Sequence, residues 1–308
     1  MGKTAWIFPG QGSQYVGMGR ELCERYSEAR LTFEQAGQAL GKDLQRIMFE
    51  GPEDALRQTE NAQPAIFVHS VALSRVLCSM DFSPDMVAGH SLGEYSALVA
   101  GGAIEFEEAL RLVKDRALSM QDACEINPGT MWAILGLDAS VVERVCAEVQ
   151  EGVVDIANIN SPGQVVISGG PDAVKAAGEA AKERGAKRAI PLNVSGAFHS
   201  RLMAPAAERF EPSVSSANIS SPGKGFFPNV SASPTDDPDK IRRGLVEQIC
   251  SPVRWQPTIE RMIGAGVDTF VEVGPGKVLK GLLKRIDGSA VGLNADGPDS
   301  VETVAGAL

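Results

Sequence analysis

Met86-Val-Ala-Gly-His-Ser-Leu-Gly-Glu94 is the stretch on which the reading of this chain turns. Met86-Val87-Ala88 reads as a buried strand, Gly89-His-Ser91-Leu-Gly93 as a tight turn of GxSxG form, and the residues up to Gly101-Gly102 as a helix. Strand before and helix after is the context in which this motif exposes a nucleophilic serine. The glycines leave room for a strained bend, and the helix N-terminus behind Ser91 favours developing negative charge. An ordinary glycine-lined turn with Ser91 capping the helix would have the same letters. A base is needed to tell the two apart.

Working outward, Ala5 to Phe8 is a short apolar run stopped by Pro9-Gly10, a second buried strand feeding a glycine-rich turn. A helix is expected from an N-cap at Asn61, with Pro64 in its first turn and Ile66, Leu73, Val76 and Leu77 at helical spacing. A longer helix covers Phe106 to Ala123. Strand, turn and helix alternate, as in a parallel α/β sheet. After Asn127-Pro128-Gly129 the texture changes to a strand (Met131 to Leu135), a helix (Ser140 to Val149), strands at Asn158-Ile-Asn160 and Val165-Val-Ile167, a helix (Asp172 to Arg184) and a strand (Ala189 to Val194). That βαββαβ order is the split ferredoxin-like pattern, expected as a subdomain over 128–195 inserted between the two parts, 1–127 and 196–308, of a larger α/β domain. Ser213 to Lys240, rich in Pro, Ser and Gly, reads as a loop with one strand near Phe227. Phe270 to Val273, before Gly274-Pro-Gly276, reads as the last strand.

Composition narrows the function classes. The 308 residues carry 29 Lys+Arg against 39 Asp+Glu, a net charge of −10, which disfavours nonspecific phosphate binding. With 44% hydrophobic and 22% charged residues, the chain can bury a large core. The longest apolar candidate for a membrane span, Met86 to Ile104, is broken by His90, Ser91 and Glu94. The apolar run after Lys3 is too short for a signal-peptide core, so a cytoplasmic location is expected. Cys23, Cys78, Cys124, Cys146 and Cys250 are scattered and free of CxxC spacing, which supports neither a disulfide framework nor a zinc site.

Three histidines make the search for a base short. His90 is next to Ser91 and should point elsewhere, and His69 lies on the apolar stripe of Ile66, Leu73 and Val76. His199, in Gly196-Ala-Phe-His-Ser200, follows the subdomain where the chain re-enters the larger domain, and elimination points to it. Arg116 falls on the apolar face of its helix with Ala109, Leu112, Val113 and Met120. A buried guanidinium left unpaired costs several kcal/mol and cannot deprotonate to escape. It needs an anion, either a buried protein carboxylate or a substrate carboxylate held bidentately near Ser91. Gly10-Gln11-Gly12 invites a dinucleotide reading, but the third glycine of GxGxxG falls at Tyr15. A backbone N–H of that loop could instead pair with the N–H of Leu92 as an oxyanion hole.

Phe8-Pro-Gly-Gln-Gly-Ser-Gln14, Gln63-Pro64, Gly89-His-Ser-Leu-Gly-Glu94, Arg116, Asn158-Ile-Asn-Ser-Pro-Gly-Gln164, Phe198-His199 and Glu272-Val-Gly-Pro-Gly276 stand in one order along the chain. Together they resemble, from end to end, the malonyl-CoA:acyl carrier protein transacylases of bacterial fatty acid synthesis. The resemblance implies a larger α/β-hydrolase-like domain with a parallel sheet plus the ferredoxin-like insertion. It implies Ser91 as acylated nucleophile, His199 as its base, Arg116 as the clamp on the malonyl carboxylate, and the N–H groups of Gln11 and Leu92 as the oxyanion hole. It further implies that the main-chain carbonyl of Gln248 orients the histidine, so that no triad aspartate is expected. Gln11, Met120, Asn158, Asn160 and Phe198 are the further substrate-side candidates, and Phe198 before His199 resembles the malonyl-selecting form of the motif.

The implied reaction takes malonyl from malonyl-CoA onto Ser91 and passes it to the phosphopantetheine thiol of holo acyl carrier protein, with no metal or other cofactor and with a monomer expected. An acidic carrier approaching an acidic enzyme needs a local basic patch. Lys277, Lys280, Lys284 and Arg285 form one candidate, and Lys182, Arg184, Lys187 and Arg188 another; each could equally be a solvated face. Three alternatives remain: a freestanding polyketide-pathway acyltransferase, a serine esterase or thioesterase of α/β-hydrolase type, and a noncatalytic acyl-binding module. The hydrolases place their histidine late and give no reason for Arg116.

Overall fold

The structure, a computed structural model, describes residues 2–41, 43–194 and 196–308. Apolar runs bounded by glycine and proline become nine strands among these residues: β1 (Lys3–Phe8), β2 (Met86–Gly89), β3 (Thr130–Leu135), β4 (Val154–Ser161), β5 (Gln164–Gly169), β6 (Arg188–Pro191), β7 (Gly225–Phe227), β8 (Val267–Val273) and β9 (Val291–Ala295). They form two sheets. Five strands pair in the order β7-β2-β1-β8-β9, every pair parallel. Four pair antiparallel in the order β4-β5-β3-β6. With the helices Ala139–Glu148 and Pro171–Glu183 between them, these four strands have the ferredoxin-like arrangement, and their antiparallel sheet spans 130–191. The expected boundary at Ser195 lies outside the described residues.

The parallel sheet has both faces covered, so its central strands carry apolar residues on both sides. Trp6 and Phe8 face one core cluster with the helices Thr59–Ser79 and Phe106–Ile126, while Ala5 and Ile7 face another with the helices Trp255–Gly264 and Val278–Ile286. The antiparallel sheet packs Ile134, Val165 and Ile167 against Val142, Val145, Val174 and Ala177 of its two helices. The sheets are stitched together where Val253 takes the N–H of Ile159 at 2.9 Å and gives its own to Ala157 at 2.8 Å.

Several boundaries differ from expectation for local reasons. The helix expected from Asn61 starts at Thr59, after the helices Arg20–Arg25, Ser27–Leu40, Leu44–Glu50 and Glu53–Arg57 that follow β1, and Asn61 lies inside it with its amide on the Ala55 carbonyl at 2.9 Å. The Ser213 to Lys240 stretch is flanked by helices that reach into it, Ala204–Ser216 and Pro238–Glu247. β6 ends at Pro191, because residues 192–194 leave the sheet to wall a cavity. Finally, β9 follows the strand expected to be last. Val291-Gly-Leu-Asn-Ala295 is a half-exposed edge and lacks the apolar run of its neighbour β8.

Candidate active site

The elbow at Ser91 is built by steric exclusion. A Cβ on Gly89 would lie 1.8 Å from the Gly93 carbonyl carbon, and one on Gly93 2.1 Å from the Phe8 carbonyl oxygen. Strand, turn and helix can therefore cross this closely only with glycine at both places. Ser91 itself has φ +51, the left-handed region that residues with a Cβ rarely enter. Asn229 holds the strained turn from both sides, its Oδ1 accepting the Ser91 N–H at 2.7 Å and its Nδ2 donating to the Gly89 carbonyl at 2.6 Å.

His199 also has positive φ, +60, in the segment that enters the larger domain after β6. Its Nε2 lies 2.8 Å from Ser91 Oγ and its Nδ1 2.8 Å from the Gln248 carbonyl. A carbonyl can only accept, so Nδ1 carries the proton and Nε2 faces the hydroxyl with a free lone pair. The ring is 4% exposed, and burial first, then the Arg116 cation, lowers its pKa to about 3. It is a neutral imidazole at any working pH.

Arg116, 1% exposed, comes from the helix Phe106–Ile126. It donates to Gln63 Oε1 at 2.8 Å, Ser91 Oγ at 3.0 Å and Gln248 Oε1 at 2.8 Å, with its guanidinium 5.8 Å from the Tyr95 ring centre. Every acceptor is neutral, no carboxylate reaches it among the described residues, and Nε has no partner there. Gln63, oriented by a 3.5 Å contact from its Nε2 to Met120 Sδ, is one wall of this pocket. A charge this deep is thus solvated by dipoles yet left without a counter-ion in contact.

Ser91, His199, Arg116 and Gln63 line a cavity of about 510 Å³ together with Gln11, Leu92, Met120, Asn158 and Phe198. Met131 of the antiparallel sheet and the 192–194 segment that follows β6 close the opposite side. The N–H groups of Gln11 and Leu92 have no acceptor among the described residues, as an oxyanion hole requires before substrate arrives. Asn160 does not line the cavity; its Oδ1 lies 3.0 Å from His90 Nε2, on the flank of the elbow. His69 is fully buried away from the site, its Nε2 2.8 Å from the Asp296 carbonyl.

Two residues of the site had no role assigned from the sequence. Asn229 sits in the Pro- and Ser-rich stretch, 138 positions from Ser91, and Glu94 reads as an ordinary first-turn helix acid. Glu94 is 1% exposed and accepts from the Asn229 N–H and from Gln248 Nε2. Burial pushes its carboxyl up to about 8, against those two donors and the Arg116 cation. A second cavity, of about 470 Å³, opens between the helix Ala139–Glu148, β4 and the 250–254 segment. Its thiols are poor nucleophiles, since burial raises Cys146 to about 12 and Cys250 to about 11.

The two basic clusters meet at the junction of the sheets. Arg285, on the exposed face of the helix Val278–Ile286, donates to Gln164 Oε1 in the β4–β5 hairpin. That hairpin abuts Gly136 through the Gly136 N–H to Gly163 carbonyl bond at 2.7 Å, and Lys187 follows on, its N–H on Leu135 at 2.8 Å. Lys187, Arg188, Lys284 and Arg285 are all exposed. Lys182 and Arg184 are exposed at the end of the neighbouring helix, where Arg184 pairs with Glu148.

Residues 5–305 match the family model described as acyl transferase domain. The malonyl CoA-acyl carrier protein transacylase of Bacillus subtilis (strain 168) is 44% identical over 304 residues, covering 98% of this chain and 96% of that protein. Among solved structures, an acyl carrier protein S-malonyltransferase from Vibrio cholerae O1 superposes with a TM-score of 0.95 at 44% identity, over 98% of this chain and 99% of the other. A malonyl-transacylase solved in complex with its type II PKS acyl-carrier protein gives a TM-score of 0.96 at 41% identity, over 99% of this chain and 100% of the other. With a family model matched over residues 5–305 and relatives matched over nearly their whole length, the chain belongs to the acyl transferase domain family and, within it, to the malonyl CoA-acyl carrier protein transacylases.

Proposed function

We propose that this chain transfers malonyl from malonyl-CoA to the phosphopantetheine thiol of a holo acyl carrier protein, supplying fatty acid elongation, through a malonyl ester on Ser91. The observation that carries this reading is Arg116: a buried cation, bonded to Ser91 Oγ at 3.0 Å, with only neutral acceptors. A malonyl group presents its free carboxylate one methylene away from the reacting carbonyl, at the reach such a guanidinium serves.

In the first half-reaction His199 Nε2 takes the Ser91 hydroxyl proton as Oγ bonds the thioester carbon. The N–H groups of Gln11 and Leu92 receive the oxyanion, the carbon–sulfur bond breaks, and His199 returns the proton to the CoA thiolate. The second half runs the same steps backwards from the carrier thiol. A malonyl carboxylate on Arg116 also cancels the cation that depresses His199, so the correct acyl group strengthens its own base. The steps need neither metal nor cofactor. Asn158, Met120 and Phe198 wall the acyl group, and Asn160 acts on the elbow through His90.

For the carrier, the basic groups on either side of Gln164 form one docking ridge. β6 runs from Arg188 toward the cavity wall at Leu192, about 13 Å of strand, a distance a phosphopantetheine arm spans. No helix among the described residues is long and apolar enough to cross a membrane.

Incubation with malonyl-CoA followed by intact-mass measurement tests the reading. A malonyl adduct that holo carrier protein discharges is expected, and it should vanish in Ser91→Ala at unchanged folded content. Rapid release of malonate without an adduct would make the chain a hydrolase, and no reaction an acyl-binding module. Presenting fatty-acid and polyketide carriers of the host together identifies the acceptor, with the fatty-acid carrier expected to win.

A further inference from the structure

Two glutamates are buried below 2% exposure, Glu94 and Glu272. Glu272 has a local task, since its oxygens accept the N–H groups of Leu279 and Lys280 at the start of their helix, at 3.0 and 2.8 Å. Glu94 has no such helix end to cap. One of its oxygens takes the Asn229 N–H and the other takes Gln248 Nε2. Those two partners are the residues that set the reacting geometry. Asn229 clamps the elbow at the Ser91 N–H and the Gly89 carbonyl. Gln248 orients His199 with its main-chain carbonyl, bonds the Ser91 carbonyl with Nε2 at 3.0 Å and accepts from Arg116 with Oε1.

We propose that Glu94 is a positioning residue for acyl transfer: its buried carboxyl group, with both oxygens accepting, anchors Asn229 and Gln248 together, and through them fixes Ser91, His199 and Arg116 relative to one another. The Gln248 amide is the spacer in this arrangement. Glu94 faces its NH2 end and Arg116 its carbonyl end, so the amide dipole lies aligned between the carboxyl group and the buried cation, which do not touch. A direct Glu94–Arg116 ion pair would occupy the edge of the guanidinium that a substrate acid needs. Neither Asn229 nor Gln248 can supply this on its own, because each commits its side-chain amide to the elbow or the arginine.

The inference rests on Ser91 and His199 as the reacting pair, and its test is chosen to be independent of the acyl substrate. In Glu94→Gln the shape is kept, but the new amide must turn its NH2 toward either the Asn229 N–H or the Gln248 NH2, donor against donor. Misalignment of this kind costs on the order of 10- to 100-fold in rate. We expect that loss in kcat with malonyl-CoA and acetyl-CoA alike, with KM for malonyl-CoA changed less than about threefold. Inactivation of Ser91 by phenylmethylsulfonyl fluoride, which has no carboxylate, should slow by the same factor. Gln248→Met keeps the carbonyl that orients His199 and removes only the amide; it is measured beside the first variant and stands in for it if that one fails to fold. It should show the same donor-independent loss. Unchanged sulfonylation in a folded Glu94→Gln or Gln248→Met protein, or a loss confined to KM, overturns the proposal. Absence of a malonyl adduct with slowed sulfonylation would instead remove the substrate assignment and leave the positioning role standing.

Discussion

The two sheets meet at one cavity but are built to different tolerances. The parallel sheet is buried on both faces, and its loops after β1 and β2 carry Gln11 and Ser91. There the backbone crosses itself so tightly that glycines are the only residues that fit, and positive φ at Ser91 is held by a side chain from far away in the chain. The antiparallel sheet has one face on its helices and leaves much of β3 and β6 half-exposed. It contributes Met131 and Asn158 to a wall, with the 192–194 segment that follows β6. The reacting groups and the arginine that would read a substrate acid come from the larger domain, and the antiparallel sheet supplies the facing wall.

Paired glycine substitutions put the contrast to its hardest test. In Gly93→Ala the methyl meets the Phe8 carbonyl at 2.1 Å, backbone against backbone, and neither strand nor helix can move without breaking the other. A loss of more than about 3 kcal/mol, or failure to fold, is expected. Gly163, in the β4–β5 turn, has φ +68 and its nearest neighbour at 3.6 Å. Gly163→Ala meets only the left-handed backbone penalty, roughly 1–2 kcal/mol. Equal midpoints in urea for the two variants would erase the distinction between the sheets.

Next in size is Arg116→Ala. Because only malonyl presents a free acid, transfer from malonyl-CoA should fall about 10²- to 10³-fold and transfer from acetyl-CoA less than about tenfold. Similar losses with both donors would turn Arg116 into a scaffold residue like Glu94. Donor-selective loss in one variant and donor-independent loss in the other would separate recognition from alignment within a single network.

Legibility in the sequence followed the range of the interactions. The elbow shows itself because its chemistry needs glycines two residues either side of Ser91 in strand-turn-helix context, all within nine letters. Arg116 was readable from helical periodicity, and His199 from there being only three histidines. The ferredoxin-like order was readable as alternating elements, although β6 proved shorter and β9 went unseen as a half-exposed edge. Asn229 and Gln248 act across 138 and 157 positions, where no local pattern records a partner. Glu94 was hidden for another reason: an acid in the first turn of a helix is favourable on its own, so nothing in the letters betrays its burial.

A third measurement concerns the histidine. With its folded pKa near 3 against about 6.5 unfolded, the unfolded chain binds more protons at this site between those values, so the neutral ring costs stability as pH falls through that window. Replacing it by Gln removes the site's share of that loss. Between pH 8 and pH 5, His199→Gln should gain about 2 kcal/mol relative to the wild type in urea unfolding. A constant difference across that range would mean that the ring titrates alike in the folded and unfolded chain, and a difference of the opposite sign would mean that it is protonated in the folded protein and could not serve as the base.

The smallest effect belongs to the looser side of the molecule. Exposed charges contribute about 0.2–1 kcal/mol each and are screened by salt, so reversing Lys187 and Arg285 together should raise KM for the carrier protein roughly three- to tenfold in dilute buffer. Most of that increase should disappear near 0.5 M salt. Acylation by malonyl-CoA should be unaffected, because both residues lie at the sheet junction around Gln164 and neither lines the cavity. The double variant is informative because Lys187 and Arg285 come from opposite sides of the junction. If each single reversal acts alone and the other is silent, the carrier touches one domain only. If both contribute, the recognition surface spans the two sheets, as the cavity does. An unchanged KM in the double variant would move the docking surface elsewhere and leave these lysines and arginines as a solvated face.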